Sequence, residues 1–169
     1  MIAWQAHVLT MHIIAALVLI VGISRSISAV YFQRALAHQD GPARPIWGIA
    51  YEMGAWIYAA LLGLQSLATL TISQNATLHV LAVGMVASYA GGISGRNAGR
   101  VQIAIGQVCL TLLPTATGLW LEGSTGYRVL SVAMVMMVLG LAEISSTTHR
   151  IVVQALIGKR DKSMLAEKF

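Results

Sequence analysis

Five apolar runs alternate with short polar breaks along this chain. They cover roughly residues 6–31, 47–72, 78–93, 101–121 and 127–157. At 1.5 Å per residue, about 20 helical residues cross the ~30 Å hydrocarbon core of a bilayer. Each run therefore predicts a spanning helix, and the whole predicts an all-α integral membrane bundle of about five helices. The third run is the shortest and is rich in small residues, so it is expected to pack inside the bundle. Gly84, Ser88 and Gly92 form one small-residue row on it, with Ala87, Gly91 and Gly95 beside it. Such rows allow close backbone approach, and packing within the bundle is the reading preferred here over a dimer seam. Pro114 interrupts the fourth run. It is expected to kink that helix, with Thr111, Thr115 and Thr117 covering freed carbonyls.

Composition agrees with the pattern. Hydrophobic residues make up 57% of 169, charged residues only 10%, against about 25% charged in a soluble domain. The net charge of +5 is gathered in a few loops. Basic residues beside spans set topology or touch anionic lipid, so no nucleic-acid partner is expected. The lone Cys109 excludes an intrachain disulfide and a cysteine metal cluster. No cleavable leader is evident, because the first apolar run is too long for one.

The loops predict orientation. Arg34, His38, Asp40 and Arg44 follow the first run, and Arg96 and Arg100 follow the third. Lys159, Arg160 and Lys162 follow the fifth. The second loop, 73–77, carries no charge, and the fourth carries Glu122 and Arg128. By the positive-inside rule the amino terminus is expected outside and the carboxyl terminus cytoplasmic. Residues 1–149 read as a transmembrane input domain. Residues 150–169 read as the start of a cytoplasmic signalling helix, with a preceding helix and a following output domain expected beyond the two ends.

Charges within membrane spans are costly and call for a partner or a task. Arg25, Glu52 and Glu143 share a depth near the inner side, and Arg96 caps the same layer with Asn97 and Arg100 close by. These six are expected to form a polar cluster. It would neutralise charge and fix packing, act as a switch layer that moves the last helix, or line a proton or ion path. No acidic ladder crosses to the other side, which argues against transport.

The histidines offer a second chemistry. His12 and His79 lie at similar depth on neighbouring runs and could ligate haem from two sides. This supports an alternative reading as a small haem-binding electron carrier or a transporter. No C-x-x-C-H attachment motif, H-E-x-x-H motif, phosphate-binding glycine loop or Ser/His/Asp set is present.

The most specific stretch is Tyr89-Ala-Gly-Gly-Ile-Ser-Gly-Arg-Asn-Ala-Gly-Arg100. With His79-Val-Leu-Ala, Leu112-Leu-Pro114, Gly126-Tyr127, Leu141-Ala-Glu-Ile144 and His149-Arg150, it resembles the amino-terminal membrane region of bacterial cyclic-di-GMP signalling proteins. The resemblance runs from about Trp47 to Phe169. These proteins carry multi-helix inputs followed by GGDEF, and often EAL, domains. The resemblance implies a sensory module that regulates a cytoplasmic diguanylate cyclase or phosphodiesterase domain and pairs as a homodimer in the lipid bilayer. It departs from such proteins in carrying no GGDEF or EAL sequence, so the chain itself is expected not to be an enzyme. The same module serving a histidine kinase is a further reading.

Overall fold

The structure, a computed structural model, describes residues 2–37, 45–96 and 100–166. Among the described residues the fold consists of five helices: α1 Ile2–Ala37, α2 Pro45–Ile72, α3 Ala76–Arg96, α4 Val101–Glu122 and α5 Thr125–Ala166. Four contain stretches long and apolar enough to cross a membrane: Glu52–Ile72, Ala76–Gly95, Val101–Glu122 and Thr125–Ala155. In α1 the corresponding stretch is shorter, His12–Ser28. The molecule is an all-α membrane bundle, as the hydropathy pattern predicts.

The bundle is centred on α4, which packs against α2, α3 and α5, while α1 lies against α2. Within its apolar stretch α4 is 56% buried, against 22% for α3 and for α5. The expectation that α3 is the inner helix is therefore corrected. Hydropathy does not separate these cases, because lipid tails and helix faces are equally apolar. What distinguishes α4 is a row of polar residues four apart. Gln107, Thr111 and Thr115 are fully buried there. The two threonines donate to the carbonyls one turn back, Thr111 to Gln107 at 2.6 Å and Thr115 to Thr111 at 2.9 Å. Leu112, Val108 and Leu119 of α4 meet Leu70, Val86, Ala90, Met134 and Val138 in the main core.

Helices α2 and α4 run parallel, in register from Trp56 beside Gly106 to Leu70 beside Gly118. Close approach is made by glycines on these two helices. A Cβ on Gly63 would stand 2.2 Å from the Leu110 carbonyl oxygen, and one on Gly106 would stand 2.6 Å from the Trp56 ring. Of the two small-residue rows of α3, Ala87 packs against the main core as expected, but the remaining positions are placed differently. Gly84, Ser88, Gly91, Gly92 and Gly95 are exposed, and a Cβ at any of the four glycines would meet nothing within 4 Å. The inward face of α3 is instead Val86, Ala90, Ile93 and Ser94.

The two connections that are fully described, α2–α3 and α4–α5, each have their own cap. Between α2 and α3, Asn75 Oδ1 accepts the Thr77 amide at 2.9 Å, an N-cap for α3. Between α4 and α5, Gly123 takes a left-handed φ of 91°, a conformation glycine adopts without a side-chain clash. The chain then enters α5, whose 42 residues extend ~63 Å, about twice the hydrocarbon thickness.

Candidate functional site

The polar residues within the spans fall into three places. At the end of the bundle where α2 and α4 begin, Arg100 donates from Nη1 to Glu52 Oε1 in an ion pair. Arg100 is the residue just before α4, and its carbonyl accepts the Ile103 and Ala104 amides. The pair thus ties the first turn of α4 to the start of the apolar part of α2. The two side chains are 54% and 42% exposed.

One turn further along, α1 brings Arg25 to the α2–α3 boundary. Its Nη1 donates to Tyr89 Oη at 3.3 Å, and its guanidinium lies 5.7 Å from the centre of the Tyr58 ring. The two tyrosines touch edge to face with centroids 5.2 Å apart. Two glycines make room. A Cβ on Gly22 would meet Tyr58 at 3.1 Å, and Gly54 lies under the Arg25 stem. The cation is thereby held by a hydrogen bond to the Tyr89 hydroxyl and by the negative face of the Tyr58 ring.

Glu143 is elsewhere. It is exposed on α5 and makes no ion pair among the described residues. Its neighbour Ser145 turns inward and is 1% exposed. Of the six residues expected to cluster, the structure brings Glu52 to Arg100 and sets Arg25 among tyrosines. Asn97 and the Arg96 side chain lie outside the described residues. The aromatic partners Tyr58 and Tyr89 were missed in the sequence. They stand four residues after Gly54 and one before Ala90, and only the tertiary register relates them to Arg25.

At the opposite end of the bundle, His79 is 3% exposed and committed on both ring nitrogens. Nε2 lies 2.8 Å from the Ser73 carbonyl oxygen and Nδ1 lies 2.8 Å from Tyr127 Oη. A carbonyl only accepts, so Nε2 carries a proton and donates to it. In the neutral ring Nδ1 then accepts from the tyrosine hydroxyl. The imidazole thus joins the α2–α3 turn to the first turn of α5. Haem ligation by His79 would break one of these bonds, so its geometry does not fit the His12–His79 reading. Among the described residues no group of three or more His, Cys, Asp or Glu is placed to hold a metal ion.

Comparison of the chain with protein-family models, with curated proteins and with solved structures gives no match in any of the three.

Proposed function

We propose that this chain is a non-catalytic sensory module of a bacterial inner membrane that transmits a signal through α5 to a cytoplasmic output domain. The observation that carries the reading is the continuity of α5 from Thr125 to Ala166. Its first half contributes Ser131, Met134 and Val138 to the bundle core. Its second half continues as helix well past the length a bilayer requires. A helix of this kind converts a shift or rotation inside the bundle into the same motion at its far end. In this reading the basic loops support an amino terminus outside and a carboxyl end in the cytoplasm, by the positive-inside rule.

The output domain in this reading is a cyclic-di-GMP-metabolising GGDEF or EAL domain, resting on the resemblance of residues 89–100 and the segments around it. A diguanylate cyclase joins two substrates from two active sites, which makes a homodimer the working unit. The coupling residues in this reading are the Glu52–Arg100 pair, Arg25 and Glu143, with Arg96 and Asn97 shortly before Arg100 in the chain.

The test is a chimera. Residues 1–169 are fused to a diguanylate cyclase domain stripped of its own input, with one to seven residues inserted at the junction. Cellular cyclic-di-GMP should rise and fall with the helical phase of the insert. A level indifferent to phase would remove the helix-transmission reading.

A further inference from the structure

Two adjoining crevices open on the side of the bundle formed by α1, α2 and α3, at the half nearer His79. One, of about 250 Å³, is lined by His12, Ile14 and Ala15 of α1 with Gln65, Thr69 and Leu78. The other, of about 210 Å³, lies between α2 and α3 against Leu62, Ser66, Leu81 and Met85. They share Gln65, Thr69 and Leu78, so they meet along one face of α2.

The walls are apolar, but two polar atoms in them are buried and unsatisfied. Gln65 Oε1 and Ser66 Oγ make no hydrogen bond. Ser66 as a whole is 2% exposed. Ser145 Oγ on α5 is also buried without a bond, but it lines neither crevice. Ser26, Thr69, Ser94 and Ser146 all donate to the carbonyl four residues back, the usual way to quiet a hydroxyl in an apolar helix. Ser66 does not. A buried polar atom left without a partner costs about 1–3 kcal/mol, and a lipid acyl chain offers it nothing.

We infer that the α1–α2–α3 crevice is a binding site for a lipophilic alcohol or phenol, its hydroxyl donating to Gln65 Oε1 and accepting from Ser66 Oγ. The carboxamide oxygen is an obligate acceptor, so the ligand must bring a proton. The serine hydroxyl donates in return, so one ligand hydroxyl completes both. The apolar body rests on Leu62, Leu78, Leu81 and Met85, of which Leu78, Leu81 and Met85 are themselves exposed at the crevice mouth. Entry is therefore sideways, from among the lipids. Few polar groups within an apolar concavity is the usual make-up of a small-molecule site. The site is independent of what α5 drives.

The test uses the full chain in phosphatidylcholine nanodiscs and a 4-octylphenol bearing a diazirine. Photolabelling should fall on residues 62–86 and His12–Ala15. Unlabelled 4-octylphenol should compete at least about ten-fold better than 4-octylanisole, which has the same body without the proton, since one hydrogen bond is worth about a factor of ten. Gln65→Leu should shrink that difference, whereas Ser66→Ala should weaken competition by both compounds, since the anisole oxygen still accepts from a serine hydroxyl. Labelling spread over lipid-facing residues of every helix, equal competition by the anisole, or an unchanged difference in Gln65→Leu would each overturn the assignment. The phenol–anisole comparison is made on the unaltered chain, so it stands even where a variant does not fold.

Discussion

Gly63 of α2 faces the Leu110 carbonyl of α4 so closely that a Cβ there would stand 2.2 Å from the oxygen. Pro114 explains why that carbonyl is available. It sits inside α4 and has no amide proton to give the residue four before it, which is Leu110. Only a residue without a Cβ fits beside that oxygen, since a methyl group on Gly63 would clash with it. The threonines around the proline serve other carbonyls, since Thr111, Thr115 and Thr117 donate to Gln107, Thr111 and Leu113.

Gly63→Ala should therefore destabilise the bundle by about 3 kcal/mol, at the upper end of overpacking changes. Gly84→Ala on α3 meets open space and should leave stability within about 0.5 kcal/mol of the parent. Thermal or denaturant unfolding in detergent separates the two. Similar losses at both positions would mean that α3, and not the α2–α4 contact, is where the backbones come closest.

The His79 linkage predicts a second loss. His79→Phe keeps the ring and strands the Tyr127 hydroxyl and the Ser73 carbonyl, two groups now bonded at 2.8 Å. The expected cost is about 2 kcal/mol. Tyr127→Phe removes only one of the two bonds and should cost about half as much. Because both variants break the same contact, their effects should fall short of additive in the double variant. Strict additivity would show that histidine and tyrosine act separately.

The contrast between these two contacts shows what was legible in the sequence. The five helices could be read because each is a long apolar run ended by polar residues. Their packing could not. A membrane helix is apolar toward lipid and toward protein alike, so the inner position of α4 had to be read from Gln107, Thr111 and Thr115, four residues apart and all buried. The glycine rows of α3 carry the pattern of a close contact yet face outward, while the close contacts use isolated glycines at 63, 106 and 118. That Arg25 reaches the start of α2 was readable from counting residues, and Gly54 lies against its stem. The azimuths of Arg25, Glu52 and Glu143 were not, and azimuth decides that Glu52 meets Arg100 and that Glu143 faces away from the core.

The Glu52–Arg100 pair should be energetically modest. Both side chains are about half exposed, and exposed pairs are worth about 0.2–1 kcal/mol. A double-mutant cycle with Glu52→Gln and Arg100→Gln should return a coupling in that range, falling as salt is raised. In the cyclase chimera the same substitutions should alter cyclic-di-GMP output by more than they alter stability, since the proposed role of the pair is to set where α4 begins relative to α2. An output that follows stability alone would assign the pair to packing.

If α5 pairs with its copy in a homodimer, the seam is set by which of its residues the bundle leaves free. Val132, Met136 and Leu139 are more than half exposed, and Glu143 continues the same stripe at spacings of four, three and four. Met134, Val138 and Ser145 lie on the other side of the helix, buried in the core. Cys109 is the protein's single cysteine, so Cys109→Ser gives a clean background. Cysteines placed at 132, 136, 139 and 143 should form disulfide-linked dimers in membranes under mild oxidation. Those at 134, 138 and 145 should not. A helical period in the yield would place the seam on this stripe. Uniform yields, or none, would remove α5 as the dimer contact and leave Glu143 facing lipid headgroups.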